Sequence, residues 1–153
     1  MKRILAILIL VSLLVPVLSN AEEYKYSLAA GVFTKHFNSK SANEQNRLVA
    51  FSYDDWTVAW FKNSYCDESF FAGYDFQTKK WEFEESGKWY LRAGVYTGVV
   101  YGYGDHLPTN VLGISPFMLP TGSLGFGQVS FQVGVVPLPG DSGLVTGILK
   151  FEF

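Results

Sequence analysis

From residue 89 to residue 103 the chain reads WYLRAGVYTGVVYGY, and its polarity alternates with a period of two. Trp89, Leu91, Ala93, Val95, Val99, Tyr101 and Tyr103 share one parity, mostly apolar. Tyr90, Arg92, Gly94, Tyr96, Gly98 and Gly102 share the other, which is small, polar or amphipathic. Successive side chains of a strand point to opposite faces, so this pattern specifies a strand with two unlike faces. QVSFQVGVV repeats it, with Val129, Phe131, Val133 and Val135 against Ser130, Gln132 and Gly134.

A soluble β-sandwich would alternate as well, and the last strand separates the two cases. In GLVTGILKFEF, Val145, Leu149, Phe151 and Phe153 fall on one face, and Thr146, Lys150 and Glu152 on the other. A closing strand with an apolar face, a polar face and a terminal aromatic residue is typical of bacterial outer-membrane barrels. No long apolar run follows Ala21, so no transmembrane helix is on offer, and in hydrocarbon only helices and closed sheets satisfy every backbone group. Aromatic residues make up 17% of the chain, enough to supply girdles at both ends of the strands. The expected fold is all-β, an eight-stranded antiparallel transmembrane β-barrel. Its strands are placed near 27–37, 46–53, 56–65, 69–77, 88–103, 111–119, 126–136 and 143–153. Loops are expected at 38–46, 77–88, 104–110 and 137–143.

Residues 1–21 read as a signal peptide. Lys2 and Arg3 precede an apolar run from Ile4 to Leu18, and Ser19 and Ala21 fit a cleavage site. The run is shorter than the roughly 20 residues that span a bilayer. The mature barrel is then 22–153, one domain by length, with ten basic against 14 acidic residues. No basic cluster exists to neutralise phosphates, so nucleic acid is not an expected partner. Cys66 is the only cysteine, which rules out an internal disulfide, and His36 and His106 lie too far apart for metal-ligand spacing.

The stretch FKNSYCDESFFAGYDF, residues 61–76, sets Lys62, Asn63 and Ser64 inside an aromatic run. Such a polar triplet marks either a strand running out into a loop or a reactive rim. His36, at the end of the first expected strand, is either a solvated rim residue or a base. Phe70 and Phe71 point to opposite faces and pack. Proline removes a ladder donor and belongs at an edge or a break in a sheet. Pro116, Pro120, Pro137 and Pro139 cluster on the two strands before the last, where pairing is weakest. Simple strand termination is the alternative reading of these prolines.

These residues resemble the outer-membrane lipid A palmitoyltransferases (PagP type). LPTGSLGFGQVSFQVGVVP, followed by a strand ending KFEF, is similar to that family's closing strands. Two prolines there flank a gap between neighbouring strands, and Pro120 and Pro137 stand 17 residues apart. FKNSY resembles the family's FKDSW, and AGYDF its AGYGW. His36, followed by Asn43, Glu44 and Asn46, is similar to a histidine followed by a tyrosine-asparagine-glutamate run.

The resemblance implies a monomeric barrel, placed in the Gram-negative outer membrane by the assembly machinery and needing no cofactor. Its partners would be phospholipid and lipid A. It implies catalysis at His36, Asn63 and Ser64, a lipid gate at Pro120 and Pro137, and an acyl-pocket floor at Asp75. The family carries an aspartate where this chain has Asn63, and a glycine where it has Asp75. An amide cannot stabilise a cationic base as a carboxylate does, so Asp54, Asp55 or Asp67 is the expected substitute. A carboxylate at the floor needs a proton or a partner such as Arg92. The helix that precedes the family's first strand has no room between Glu22 and Ser27, and its rim arginine has no match near 104–110. The function expected is acyl transfer from a glycerophospholipid to lipid A. The alternative is a non-enzymatic barrel that binds at or modifies the cell surface.

Overall fold

The structure is a computed structural model, which describes residues 24–38, 43–45, 47–83, 88–107, 109–137 and 143–153. The expected signal peptide, together with Asn46 and Pro139, lies outside the described residues. The strands are β1 Tyr26–Phe37, β2 Val49–Tyr53, β3 Trp56–Lys62, β4 Glu68–Gln77, β5 Trp81–Glu82, β6 Trp89–Tyr101, β7 Ile114–Phe126, β8 Val129–Pro137 and β9 Gly143–Glu152. All pairings are antiparallel. β4 pairs with β6 and β1 with β9, so β1–β4 and β6–β9 close an eight-stranded barrel. β5 is a two-residue addition on the edge of β6, opposite Tyr90 and Leu91.

The alternation read from the sequence sorts inside from outside. Trp56, Val58 and Trp60 face outward, while Thr57, Ala59 and Phe61 between them are buried. Leu149, Phe151 and Phe153 are exposed, and Thr146, Lys150 and Glu152 point inward. Phe70 is outside and Phe71 inside, as expected. No α-helix is found among the described residues.

The last third departs from expectation. Residues 120–125, left between the expected strands 111–119 and 126–136, belong to β7, which pairs without a break along all of β6. The true turn is Gly127-Gln128, where Gly127 takes φ +57, a left-handed conformation that suits glycine. Prolines inside β7 are tolerated because its ladder to β8 stops short. β7 and β8 pair only from Thr121↔Gly134 to Phe126↔Val129, leaving Ile114–Pro120 unpaired on that side. The ladder to β6 runs through Val95↔Pro120 and Val99↔Pro116, so both donorless nitrogens face the unpaired side.

The interior is divided along its axis. At the end carrying the Asp54-Asp55 and Gly127-Gln128 turns it is filled by charge. Lys150 Nζ sits 2.8 Å from Asp75 Oδ2, and Arg92 donates to Glu152 Oε1 at 2.8 Å. Gln77 bridges the two pairs, donating to Asp75 and accepting from Arg92. Above this layer Tyr96 donates to Gln132 Oε1 at 2.9 Å. Toward the opposite, loop-bearing end the interior turns apolar. Ala29, Ala50 and Ala59 lie side by side across β1, β2 and β3, facing Phe71, Val100, Leu119 and Ile148. Three small side chains in register leave a space that larger residues would fill.

Candidate functional site

At the loop end, the ring of His36 meets the hydroxyl of Ser64, with Nε2 and Oγ 2.8 Å apart. Two local features create this contact. β1 carries a bulge, since Gly31 opposes Ile148 and Phe33 already opposes Gly147, leaving Val32 as the extra residue. Before the bulge the odd residues Ser27 and Ala29 point inward; after it the even residues Thr34 and His36 do. A bulge re-aims every side chain beyond it, and without Val32 the His36 ring would face outward. Gly147 makes room, because a Cβ there would lie 2.4 Å from the Phe33 ring that covers it. The second feature is the end of β3. Lys62 is its last residue, and the chain turns at Asn63, presenting Ser64 half-buried toward β1.

Asn63 is what stops β3, and all four hydrogen-bonding positions of its amide are taken. Its Nδ2 donates to Ser69 Oγ at 3.0 Å and to the Gly102 carbonyl at 3.0 Å. Its Oδ1 accepts the backbone N–H groups of Tyr65 at 2.8 Å and Asp67 at 3.0 Å. The residue is fully buried and fastens the β3–β4 loop to the segment after β6. Asn63 therefore touches Ser64 only through the backbone and does not orient His36. The expected substitutes fare no better. Asp54 and Asp55 form the β2–β3 turn at the far end of the barrel, and Asp67 meets Asn63 through its backbone N–H.

The loop after β1 supplies contacts that sequence reasoning did not assign. Asn43 donates its backbone N–H to the Ser64 carbonyl at 2.8 Å and its Nδ2 to the Asn63 carbonyl at 3.0 Å. Its Oδ1 accepts the Gln45 N–H at 3.0 Å, a local turn that holds Glu44 outward. The Glu44 carboxylate pairs with Lys35, the residue before His36 on β1. The pairing with Lys35 lowers the Glu44 pKa. His36 Nδ1, buried at the far side of the ring, has no partner among the described residues.

Directly beneath the dyad lies a cavity of about 90 Å³. Its walls include Ala29, Ala50, Ala59, Phe61, Phe71 and Leu119, and Asn63 and Ser64 stand at its mouth. Tyr103 closes one side of the mouth. Burial raises its pKa to about 12, so this hydroxyl stays neutral. Tyr65 stacks on His106 with centroids 3.8 Å apart and meets Tyr103 edge-on.

Asp75, expected as the floor, is not part of the cavity wall. Tyr96 and Ile148 close the bottom instead, and Asp75 lies beyond them in the charged layer. Its partner is Lys150 and not Arg92, which serves Glu152. Pro120 lies at the last unpaired position of β7, and Pro137 ends β8 on the same seam. Val136 and Leu119, on the two sides of that seam, both line the cavity.

Cys66 lies exposed in the loop at φ +70, and its backbone N–H donates to the Asn63 carbonyl. Among the described residues no group of histidine, cysteine and carboxylates is arranged to hold a metal.

No protein-family model matches the chain, and no curated protein matches it. Its likeness to the palmitoyltransferases rests on the residues quoted above and on a barrel compatible with theirs.

Proposed function

We propose that this chain is a PagP-like barrel of the Gram-negative outer membrane that moves an acyl chain from a glycerophospholipid to lipid A. The observation that carries this reading is the 2.8 Å contact between His36 Nε2 and Ser64 Oγ above an apolar cavity. A base must lie within hydrogen-bond reach of the proton it takes, and this pair satisfies that condition. His36 removes the proton of the attacking hydroxyl and returns it to the oxygen of the departing lysophospholipid. The ester acyl group passes to Ser64 and then, by the same exchange, to a hydroxyl of lipid A. A histidine can both take up and give back a proton near neutral pH, which suits both directions of transfer.

The membrane setting is supported by the outer surface. Large apolar side chains face outward on every long strand, and aromatic pairs ring the turn end. Tyr26 meets Tyr53 at 5.2 Å, Trp56 meets Tyr74 at 5.4 Å and Trp89 meets Phe126 at 5.0 Å between centroids. Trp60, Phe70 and Tyr101 face outward toward the loop end. An apolar exterior around an interior holding two ion pairs is inverted relative to a water-soluble barrel and fits a lipid surround. The unpaired seam beside Pro120 and Pro137 is the side on which an acyl chain enters.

The cavity argues for a short donor chain. At about 90 Å³ it is smaller than the ~150 Å³ cavity that admits benzene, so it accepts a few carbons and not a palmitate. Mass spectrometry of lipid A from cells producing the chain tests the reading. Added mass of a short acyl group is expected, and it disappears in Ser64→Ala. Unmodified lipid A beside abundant folded protein refutes it and leaves the second reading, a surface barrel without catalysis. The use of Asn63 as a loop fastener, with no carboxylate in its place, favours that alternative.

A further inference from the structure

The outward residues of β3, β4, β6 and β7 fall into rows of unequal size. Val58, Ala72, Val99 and Pro116 oppose one another in turn across the four strands and make one row of small side chains. All four point away from the interior. The next row toward the loop end is Trp60, Phe70, Tyr101 and Ile114. The next row toward the turn end begins with Trp56 and Tyr74, whose rings meet edge-on at 5.4 Å. Small residues between two rows of rings leave a trough in the outer wall. Its loop-side half encloses about 700 Å³ and runs from Phe51 on β2 to Ile114 on β7. Its turn-side half encloses about 550 Å³ and shares Val58, Ala72 and Val99. Each half is of the size of a small-ligand site, roughly 300–1,000 Å³, whereas the interior cavity holds about 90 Å³.

The trough has a destination. Pro116, at its end, lies in the stretch Ile114–Pro120 where β7 has no partner toward β8. Strands about 4.8 Å apart put Val58 roughly 14 Å from Pro116, so a chain laid on this row ends at the seam beside Leu119 and the cavity. We propose that the trough is a second acyl subsite: it holds, on the outer wall, the chain of a two-chain glycerophospholipid that is not transferred, while the reacting chain passes the seam to Ser64. This rests on the lipid-facing exterior and the dyad of the proposed function. A second copy of the barrel fits the trough poorly, because a two-fold interface sets one patch against itself and two hollows leave voids. A polar ligand gains nothing from valine, alanine and proline. An acyl chain touches the floor and both rows of rings. Moving it there from lipid or detergent removes no apolar surface from water, so the gain is dispersion and is modest.

The test measures lipid retention and not transfer. The full-length barrel in detergent micelles, with folding checked by heat-modifiable migration, is titrated with phosphatidylethanolamine or with its one-chain lyso form and read by native mass spectrometry. The two-chain lipid should bind about three- to ten-fold more tightly. Ala72→Trp fills the trough and abolishes that preference. Leu149→Trp, at an outward position on β9, keeps it. Equal binding of the two lipids by the native chain, or a preference that survives in folded Ala72→Trp, overturns the proposal. So does a native dimer that Ala72→Trp splits, which assigns the trough to a second copy. A preference lost in Ala72→Trp, in a chain that adds nothing to lipid A, sustains the trough and removes only the enzymatic reading.

Discussion

Placing at residue 63 the aspartate of the palmitoyltransferases that the chain resembles ought to raise activity if Asn63 held the position of a catalytic acid; the structure predicts damage instead. In Asn63→Asp the Oδ1 contacts to Tyr65 and Asp67 survive, and Ser69 can rotate its hydroxyl to donate. The Gly102 carbonyl cannot adapt. It loses its donor at 3.0 Å and faces a carboxylate oxygen in a fully buried position. An unsatisfied buried acceptor costs about 1–3 kcal/mol, and burying the charge adds to this, for a total of about 2–4 kcal/mol.

The penalty depends on pH with a definite sign. Burial holds the new carboxyl's folded pKa above its unfolded value, so the native state binds more protons and stability falls as pH rises between the two values. At pH 4 the protonated acid can donate to Gly102 and the variant approaches the native chain; at pH 8 the full loss appears. Urea unfolding of the barrel in micelles, followed by tryptophan fluorescence at both pH values, measures the difference. An Asn63→Asp variant as stable as the native chain at pH 8, or one with raised acyl transfer, refutes the assignment of Asn63 as a fastener.

Three further outcomes follow from the same geometry. In a Cys66→Ala background, a disulfide between Pro120→Cys and Val135→Cys, the positions that would face each other if the ladder continued, closes the β7–β8 seam. Acyl transfer should stop on oxidation and return with reductant, and transfer that ignores the crosslink rules out entry by the seam. Lys150→Met strips Asp75 of its cation and should destabilise the barrel by about 3–5 kcal/mol; adding Asp75→Asn should recover much of this, read as the urea midpoint. Asp55, in the β2–β3 turn, is held above the usual carboxylate range by burial and then by the charge of Asp75. Its folded pKa is raised, so it weakens the fold as pH rises past its unfolded value; Asp55→Asn should raise the melting temperature at pH 7 and leave it unchanged at pH 3.

The barrel was legible because period-two alternation survives in almost every strand, and the polarity of each parity names the face. Where it broke down, the cause is physical. The strand expected at 111–119 stopped short of Pro120 because proline and glycine usually end strands, yet proline is harmless where a neighbouring ladder is absent. That absence is a property of two strands together and cannot be seen in one. The bulge at Val32 left a trace, since Val32 and Phe33 are consecutive apolar residues in an alternating strand. His36 and Ser64, singled out in the sequence, meet in the fold, but the hydrogen bonds of Asn63 were not legible, because sequence shows which residue occupies a position and not which carbonyl it meets. Glu44 stood in plain view as part of a resemblance; only the folded loop shows its carboxylate paired with Lys35, the residue before His36.

The division of the interior also limits how a molecule could reach the dyad. Entry from the turn end means separating Asp75 from Lys150 and Arg92 from Glu152, ions whose solvation inside the barrel comes from one another and from Gln77. Two cations and two carboxylates in one layer cancel, so no net field draws an ion through, and Tyr96 and Ile148 close the cavity above them. At the loop end, Asn43 and Tyr103 narrow the mouth and polar backbone crowds it. The remaining boundary is the seam where Leu119 and Val136 line the cavity and no ladder joins β7 to β8. A molecule with an apolar tail and a polar head can lay the tail through that seam and leave the head outside at the level of Ser64. A fully polar ligand gains nothing there, because the unpaired strand edges it would meet are flanked by leucine, valine and proline. Among the described residues the axis is blocked and the side wall is open, which is the arrangement the proposed lipid substrate requires.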